Sequence, residues 1–403
     1  MGCPEAALGS AGASGRRSSG ASVGMSPLCS RPGRPSIRGC LTADVICTIL
    51  VESIPWNRFH NGVGSSVRSV TIKDVAGRAG VSTATASRVL SGHPSTSPAA
   101  RTAVEQAVAD LGFRPNAQAR SLRRTTTQTL GLLLPDIRNP FFADLAHAVE
   151  QRARDFGYLT LFGNANESVE QQDRYFDVML SQRVDGLIAA PQGDRASLAG
   201  ILGSGLPTVF VDRVIDGADV PSISPDNRTG IHEAVEHLLG LGHRRIGYIA
   251  GPQSTSTGRE RLRAYQEAIS GTAADDDGDL VHVGDFQAAS GAAGAHALLD
   301  LADPPTAVLA ADSLMSIGAI GVCNERGVAI GADLAFVGYD DIEAFTLLNP
   351  ALTVIAHDVD AMGRGAVEML VAVIAGEAAE SRVLPSRLIV RGSTMDSPKG
   401  PSA

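Results

Sequence analysis

Between residues 130 and 356, short apolar runs alternate with longer amphipathic stretches, and this alternation constrains the fold more than any other feature of the sequence. Nine runs have the length of a β-strand: Leu130–Leu134, Tyr158–Phe162, Gly186–Ala190, Thr208–Val211, Arg245–Ala250, Leu280–Val283, Ala307–Ala310, Ala335–Gly338 and Thr353–Ala356. Apolar residues at helical spacing lie between them, as in Phe141–Phe156, Val169–Gln182, Arg228–Leu241 and Gly258–Ser270. Strands that alternate with helices in this way form parallel, doubly wound sheets. The sequence therefore predicts a two-lobed α/β body over residues 129–392, with one such sheet in each lobe.

The net charge of the chain changes from positive to negative near the start of this body. The formal net charge of the whole chain is −9. Residues 70–124 carry eight Lys or Arg against three Asp or Glu, a net of +5, whereas residues 125–395 carry 18 Arg against 36 acids, a net of −18. A small basic module joined to a large acidic one is typical of a polyanion-binding head on a soluble body. The overall acidity therefore does not exclude a nucleic-acid partner.

The two ends of the chain differ from this pattern. Residues 1–68 are rich in Gly, Ser, Ala, Pro and Arg, and we expect a disordered leader or a translation start assigned too early. The apolar run Val45–Val51 is too short for a signal peptide or a membrane span, so we expect a cytoplasmic protein. Four of the five cysteines lie in this leader, and we expect the fifth, Cys323, to be a buried thiol. Residues 393–403 are expected to form a tail.

The basic module, residues 70–115, has the start and stop signals of three short helices. Thr71 can cap a first helix that ends at Gly80, and Ser82 can cap a second helix over Thr83–Leu90. Ser97, followed by a proline, can cap a third helix that ends at Gly112. Two short helices joined by a glycine turn, with a third helix packed on them, make a helix-turn-helix unit.

The second helix is the candidate DNA-reading element, because the recognition helix of this unit enters the major groove. Its exposed side chains are predicted to be Thr83, Ala84, Ser87 and Arg88. A guanidinium such as that of Arg88 can donate two hydrogen bonds to one guanine. The alternative is a small helical protein-interaction domain with a solvated basic face.

The pattern of residues 116–128 predicts a short helix followed by a polar linker. Asn116 can cap a helix over Ala117–Leu122, which is too short to be stable alone. Leu122 lies among arginines, where an apolar side chain can act as a wedge between base steps in the minor groove. The alternative is that Leu122 packs on the body.

Polar and aromatic residues follow several of the predicted strands. Ligands bind beyond the carboxyl ends of strands in open parallel sheets, so these positions form the candidate ligand site. They are Asp136, residues 139–142, Asp212, Arg213, residues 251–261 and Asp312. Carboxylates and arginines can each make two hydrogen bonds to adjacent hydroxyls, and a phenyl ring can lie on the apolar face of a sugar. Taken singly, each residue could instead be a helix cap or a salt bridge between the lobes.

From Thr71 to about residue 392 the chain resembles the lactose-repressor (LacI/GalR) family, and its body also resembles periplasmic sugar-binding proteins. The resemblance is carried by the run Thr71–Leu90, the Arg-Pro-Asn step at 114–116, and the motifs at 211–213, 241–246, 311–313 and 337–340. It implies DNA contacts by Thr71, Ser82, Thr83, Ala84, Thr85, Ser87, Arg88, Asn116, Arg120, Leu122 and Arg123. It implies effector contacts by Asn139, Phe142, Asp212, Arg213, Asp226, Arg261, Phe286 and Asp312. His357 departs from the glutamine that several relatives carry at its position.

We therefore expect a homodimeric transcriptional regulator, acting as a repressor, whose affinity for operator DNA is controlled by a small molecule, most simply a sugar. No nucleophile elbow, phosphate-binding loop, zinc-protease motif or metal-spaced His/Cys set occurs in the sequence, so we expect neither catalysis nor a metal or cofactor. The alternatives are the solute-binding protein of a sugar transporter and an α/β enzyme.

Overall fold

The computed structural model describes residues 70–113, 126–275 and 277–394. Several expectations fall on other residues: the leader at 1–68, the hinge residues Asn116, Arg120, Leu122 and Arg123, and all but the first two residues of the tail lie outside the described ranges. The domain boundaries drawn from the sequence stay predictions.

The head consists of three helices: α1 (Ile72–Ala79), α2 (Thr83–Leu90) and α3 (Pro98–Leu111). Gly80 ends α1 in the left-handed conformation with φ 64°, which glycine adopts without steric cost. The Ser82 hydroxyl then accepts a hydrogen bond from the backbone N–H of Thr85 at 3.1 Å, and Ser97 caps α3 in the same way. The predicted boundaries of α2 and α3 match the structure because these capping residues define them.

The inner faces of the three helices form a small core of their own. Val75 of α1, Ala86 of α2 and Val104 of α3 are each fully buried in it. An ion pair at 2.8 Å between Arg78 and Asp110 ties α1 to α3 at the surface. The head therefore holds α2 in place by packing on one side of that helix.

The body contains twelve strands and nine helices among the described residues. The strands are β1 (Thr129–Leu134), β2 (Leu159–Asn164), β3 (Gly186–Ala189), β4 (Thr208–Val211), β5 (Ser222–Pro225), β6 (Ile246–Ala250), β7 (Val281–Val283), β8 (Ala307–Ala310), β9 (Ala335–Tyr339), β10 (Thr353–His357), β11 (Arg382–Leu384) and β12 (Ser386–Ile389). The helices are α4 (Pro140–Asp155), α5 (Val169–Ser181), α6 (Ala199–Gly203), α7 (Asn227–Gly240), α8 (Ser256–Ile269), α9 (Ala288–Leu299), α10 (Ser313–Arg326), α11 (Glu343–Thr346) and α12 (Val359–Ile374).

The strands form two six-stranded sheets, one in each lobe. The first sheet has the order β11-β5-β4-β3-β1-β2 with all pairs parallel. The second has the order β12-β10-β9-β8-β6-β7, and only its edge strand β12 is antiparallel to its neighbour. This arrangement confirms the predicted two-lobed α/β body with doubly wound sheets.

The chain passes between the lobes three times. It leaves the first lobe after β5, returns between β10 and α12, and crosses again at Pro385 between β11 and β12. The three crossovers are therefore short segments at residues 225–227, 357–359 and 384–386. Because rotation of one lobe against the other must bend these segments, they are where the two lobes are mechanically coupled.

Three strands of the structure were not predicted from the apolar runs: β5, β11 and β12. Each has three or four residues, and the serines and arginines in them break the apolar pattern. They lie at or next to the outer edge of each sheet, where a strand is defined by pairing with its neighbour.

Cys323 lies on α10 with 1% of its surface exposed, so the predicted buried thiol is confirmed. None of the helices in the described part of the chain is long and apolar enough to cross a membrane.

Candidate effector cleft and DNA-reading helix

The carboxyl ends of the strands of both sheets face each other across a cleft between the lobes. Ten side chains line it: Asn139, Phe141, Phe142, Asp212, Arg213, Thr257, Arg261, Phe286, Asp312 and Asp340. The first five come from the first lobe and the other five from the second. The cleft therefore combines carboxylates, guanidinium groups, a hydroxyl and three phenyl rings in one place.

Three of these residues have left-handed backbone conformations directly after a strand or close behind it. Asp212 follows β4 with φ 63°, Phe286 follows β7 with φ 64° and Asp340 follows β9 with φ 65°. A non-glycine residue in this region costs of order 1 kcal/mol and persists where the surroundings enforce it. Such strain concentrates at functional sites, so its repetition at the facing edges of the two sheets supports a binding role for the cleft.

Arg213 of the first lobe's wall is paired through its two terminal nitrogens, whereas its Nε has no hydrogen-bond partner. Both of its terminal nitrogens donate to the Glu167 carboxylate, at 2.8 and 2.7 Å. Its guanidinium carbon lies 5.8 Å from the centroid of the Phe142 ring and 5.2 Å from that of Phe286. Since Phe286 belongs to the second lobe, the Arg213 side chain contacts both walls of the cleft.

Arg261 of α8 is held in a buried network in the second lobe. Its Nε donates to Asn227 Oδ1 at 2.8 Å and its Nη1 donates to the Ala311 carbonyl at 2.7 Å. The Tyr339 hydroxyl donates to the same Asn227 oxygen at 2.8 Å, and its ring stacks 3.8 Å from the Arg261 guanidinium carbon. The remaining nitrogen of Arg261 faces Asp212 at 3.8 Å. Arg261 is therefore oriented toward the cleft by its partners on three sides.

Asn139 and Asp312 join the lobes at the centre of the cleft. The Asn139 amide donates to Asp312 at 2.8 Å, and the Ser313 hydroxyl donates to the Asn139 side-chain oxygen at 2.9 Å. The other Asp312 oxygen accepts from the backbone N–H of Met315 and so caps α10.

Burial controls the protonation of the carboxylates in the cleft. It raises the pKa of Asp312 to about 7, helped by the nearby Asp340 carboxylate, and raises that of Asp340 itself to about 6. Burial also raises the pKa of Asp212, although Arg261 and Arg213 oppose that shift. These three groups therefore hold their protons more tightly than exposed aspartates do.

The lobes are closed around this site. The free space between these side chains is about 10 Å³, roughly enough for one water molecule. Arg138 bonds to Gln287 at 2.8 Å, the backbone N–H of Val214 donates to Ser256 at 3.0 Å, and Asp216 pairs with Arg259 at 2.9 Å. A ligand larger than water therefore enters by separating the lobes, which breaks contacts of this kind.

The structure brings together seven of the eight side chains predicted to contact an effector. The exception is Asp226, which accepts hydrogen bonds from the backbone and the hydroxyl of Thr229 and caps α7. The next residue, Asn227, is the one that reaches the Arg261 network. An effector contact by Asp226 stays a prediction.

Asp340 of the cleft, and Glu167 and Asn227 that hold its arginines, were not identified as site residues from the sequence, whereas Thr257 falls in the predicted range 251–261. Asp340 is part of the motif at 337–340, but nothing in the sequence indicated that its carboxylate lines the cleft. Glu167 lies three residues after β2 with φ 54°, where strand alternation does not indicate the direction of a side chain. Its role follows from its contact with Arg213.

In the head, α2 presents the predicted DNA-reading residues on one side. Ser82, Thr83, Ala84 and Arg88 are exposed, whereas Thr85 and Ser87 are half-buried. Thr71 is also exposed, and its N–H and hydroxyl both donate to Asp74, which fixes the start of α1. Because Ala86 and Val89 are buried on the opposite side, α2 has one face free for a partner.

Comparison with known proteins decides the family. The model of the bacterial regulatory proteins of the lacI family matches residues 71–116, and that of the periplasmic binding protein-like domain matches residues 235–394. The HTH-type transcriptional repressor CytR of Escherichia coli K12 is 32% identical over 341 residues, which cover 81% of this chain and 96% of CytR. The chain belongs to the lacI family. The regulator GalR of the same organism is 35% identical over 318 residues, 78% of this chain and 91% of GalR.

Solved structures of the family match the same part of the chain. The lac repressor dimer bound to operator and the anti-inducer ONPF superimposes with a TM-score of 0.72 at 30% identity, over 81% of this chain and all of that one. The CelR–cellobiose complex gives a TM-score of 0.62 at 33% identity over the same shares. The resemblance seen in the sequence is thus confirmed: this lacI-family chain is a transcriptional regulator and not the solute-binding protein of a transporter.

Proposed function

We propose that this lacI-family regulator represses transcription as a homodimer that reads operator DNA through α2 and is controlled by a neutral polyhydroxy effector bound in the cleft. We infer the chemical class of the effector from polar atoms that are buried in the cleft and have no hydrogen-bond partner. These are Asp212 Oδ1, Arg213 Nε and Thr257 Oγ1. Buried polar groups are normally paired, so an acceptor, a donor and a hydroxyl left together fit the hydroxyls of a ligand.

The charge of the cleft argues for a neutral effector. Glu167, Asp212, Asp312 and Asp340 contribute four carboxyl groups, against the two guanidinium groups. Arg213 is already neutralised by Glu167, and Arg261 faces Asp212. A phosphorylated sugar would bring two more negative charges into this surrounding, whereas a sugar or polyol supplies hydroxyls and an apolar face for the phenyl rings.

The relatives support a binding role without catalysis and a sugar-like ligand. CytR and GalR are transcription regulators, and CelR is solved with cellobiose. The lac repressor is solved on operator DNA, which supports the same partner for the head of this chain. We propose that Arg88 reads a base edge from the exposed face of α2, with Thr83 and Ala84 beside it.

Exposed apolar side chains at corresponding edges of the two sheets support the dimer. Leu159 of β2 is 74% exposed and Val283 of β7 is 50% exposed, and each strand is the last in its sheet. Leu347, at 77%, is a further large apolar side chain at the surface of the second lobe. A second copy of the chain would bury these side chains and the free edges of both sheets.

The effector is tested by thermal shift of the full chain against neutral sugars and polyols and their phosphates. A ligand at 100 times its Kd adds about 2.7 kcal/mol to stability, so a millimolar panel reports micromolar binders. We expect a neutral compound to raise the Tm and its phosphate to have no effect. Asp212→Asn should abolish the shift, and Asp173→Asn, at an exposed aspartate on α5, should keep it. A phosphate that binds more tightly than its parent sugar would contradict the proposal.

The DNA contact is tested by fluorescence anisotropy on an operator selected from a random pool. Arg88→Ala should weaken binding by about 1–3 kcal/mol and relax sequence preference at one base pair. Arg78→Ala is the matched control, because its guanidinium is paired with Asp110. If both variants bind as the unmodified chain does, α2 does not read DNA through Arg88.

A further inference from the structure

The chain enters the body through a segment that a single carboxylate holds at two successive residues. The backbone N–H of Thr127 donates to Asp185 Oδ1 at 2.7 Å, and that of Gln128 donates to Asp185 Oδ2 at 2.8 Å. The Thr127 hydroxyl lies 2.8 Å from the Arg183 carbonyl oxygen and 3.0 Å from Asp185 Oδ1, so it can donate to either. We call these contacts of Asp185 and Arg183 with Thr127 and Gln128 the linker clamp.

The backbone has an uncommon conformation on both sides of the linker clamp. Gln128 has φ 53° and Arg183 has φ 54°, in the left-handed region that residues other than glycine seldom adopt. Such conformations persist where the surrounding contacts enforce them. Because Asp185 accepts the N–H of Gln128 itself, the clamp fixes the direction of the chain at this residue as well as its position.

The linker clamp lies at the end of the first sheet that is opposite to the effector cleft. Thr129, Leu159 and Gly186 are the first residues of β1, β2 and β3, and these three strands are parallel. Their amino ends therefore lie together, next to residues 127 and 128. The cleft is at their carboxyl ends, about 20 Å away along the six residues of β1.

Helix α5 connects the linker clamp to a contact of the cleft. Glu167, which binds both terminal nitrogens of Arg213, comes two residues before α5, and Asp185 comes four residues after it. The 13 residues of α5 span about 20 Å. Met179 of α5 is fully buried in the same core cluster as Leu133 of β1. Since close-packed interiors transmit displacement, the cleft wall and the clamp are the two ends of one packed unit.

The Asp185 side chain bonds to the linker and not to the rest of the lobe. Among the described residues, all of its hydrogen bonds come from Thr127 and Gln128. The backbone N–H of Asp185 separately donates to the Thr129 carbonyl at 2.8 Å, where β1 pairs with β3. Replacing the side chain therefore releases the linker while the sheet keeps its own hydrogen bonds.

We propose that Asp185 is a positioning residue, which fixes the direction in which the chain leaves the body toward the predicted hinge helix at 117–122. In a dimer it thereby sets the distance between the two hinges on operator DNA. The inference rests on the proposed reading of an operator by a homodimer. When an effector moves the first lobe, the clamp moves residues 127 and 128 with it, and the fit of the hinges to the operator changes.

The test measures binding of the full chain to two DNAs, the selected operator and the same sequence with one base pair inserted at its centre. The insertion moves the half-sites apart by about 3.4 Å and rotates one against the other by about 35°. Asp185→Asn keeps one acceptor oxygen and so leaves one linker N–H unpaired. We expect it to weaken operator binding about tenfold and to leave binding to the inserted DNA unchanged. The ratio of the two affinities should therefore fall about tenfold.

Two further variants control for charge and for geometry. Asp177→Asn, at an exposed aspartate on α5, removes the same charge from the same lobe and should leave the ratio of the two affinities as it is in the unmodified chain. Asp185→Glu retains two acceptor oxygens on a longer side chain, so it should recover part of the ratio.

Effector binding separates this role from a loss of folding. Asp185→Asn should bind the sugar or polyol that raises the Tm with unchanged Kd, and that ligand should change its operator affinity less than it does in the unmodified chain. An affinity ratio equal to that of the unmodified chain would overturn the inference, as would equal effects of Asp185→Asn and Asp177→Asn. Arg88→Ala reports on the proposed function separately. If it weakens operator binding while Asp185→Asn leaves the ratio unchanged, only the role of the clamp is refuted.

Discussion

The pair of Arg213 and Glu167 gives the strongest stability prediction in the cleft. Arg213 is 2% exposed, and both of its terminal nitrogens bond to Glu167. Removing one member of a buried pair leaves the other as an uncompensated charge, which costs about 3–5 kcal/mol. Since the Glu167 side chain retains 16% exposure, we expect Arg213→Met to cost about 3 kcal/mol.

A double-mutant cycle separates the pair from its surroundings. Glu167→Gln alone should also destabilise the chain, but the double variant should cost much less than the sum, with a coupling of about 2 kcal/mol. The matched surface control is Arg174→Met, which breaks an ion pair whose side chains are 73% and 78% exposed. That change should cost less than about 1 kcal/mol.

The assay is urea unfolding of each variant, followed by circular dichroism, with thermal melts as a second readout. At about 3 kcal/mol, Arg213→Met should lower the Tm by roughly 5–10 °C. If Arg213→Met costs no more than Arg174→Met, the guanidinium is solvated and the closed cleft described above is wrong. If the double variant costs the sum of the single variants, the two side chains do not act as a pair.

Three further predictions concern packing, pH and the buried network. Gly318→Ala should destabilise the chain by several kcal/mol, because its Cβ would lie 1.8 Å from the Ala288 carbonyl oxygen of the neighbouring helix. The control is Gly321→Ala on the same helix, where the added Cβ meets open space, so this change should be neutral or stabilising by up to about 1 kcal/mol. Urea unfolding compares the two variants. The folded-state pKa of Asp312, at about 7, lies above its ordinary 3.8, so its stabilising effect is full below about pH 4 and is lost as the pH rises through about 7. Between about pH 4 and pH 7 the free energy of unfolding should therefore fall more steeply with rising pH for the unmodified chain than for Asp312→Asn. Equal slopes for the two proteins would contradict the raised pKa of Asp312. Tyr339→Phe should cost about 0.5–1.5 kcal/mol in urea unfolding and weaken the effector, because it removes one of the hydrogen bonds that orient the Arg261 network.

Much of the fold could be predicted because local signals define it. The three helices of the head begin and end at capping residues such as Ser82 and Gly112, and these are visible in the sequence. Central strands such as β4 and β8 are buried on both faces and so read as continuous apolar runs. The outer strands β11 and β12 depend on pairing across the sheet, and a window of three or four residues does not contain that information.

The sequence predicted which residues lie near the cleft, but not which way individual side chains point. Placing ligand residues after each strand located Asp212, Arg213 and Asp312. Asp226 and Asn227 differ by one position at a helix start, where the first caps the helix and the second accepts a hydrogen bond from Arg261. Contacts such as that of Glu167 with Arg213 join residues far apart in the chain, so they require the three-dimensional structure.

The most direct test of the regulatory mechanism is the affinity of the full chain for its selected operator, measured by fluorescence anisotropy with and without the sugar or polyol that raises the Tm. Binding of one ligand can change the affinity for another only as far as it distinguishes the two states of the protein. We expect the effector to change the operator affinity by about 5- to 150-fold and Asp212→Asn to abolish this change while retaining DNA binding. An operator affinity that is the same with and without a saturating, cleft-bound effector would contradict control of DNA binding through the cleft.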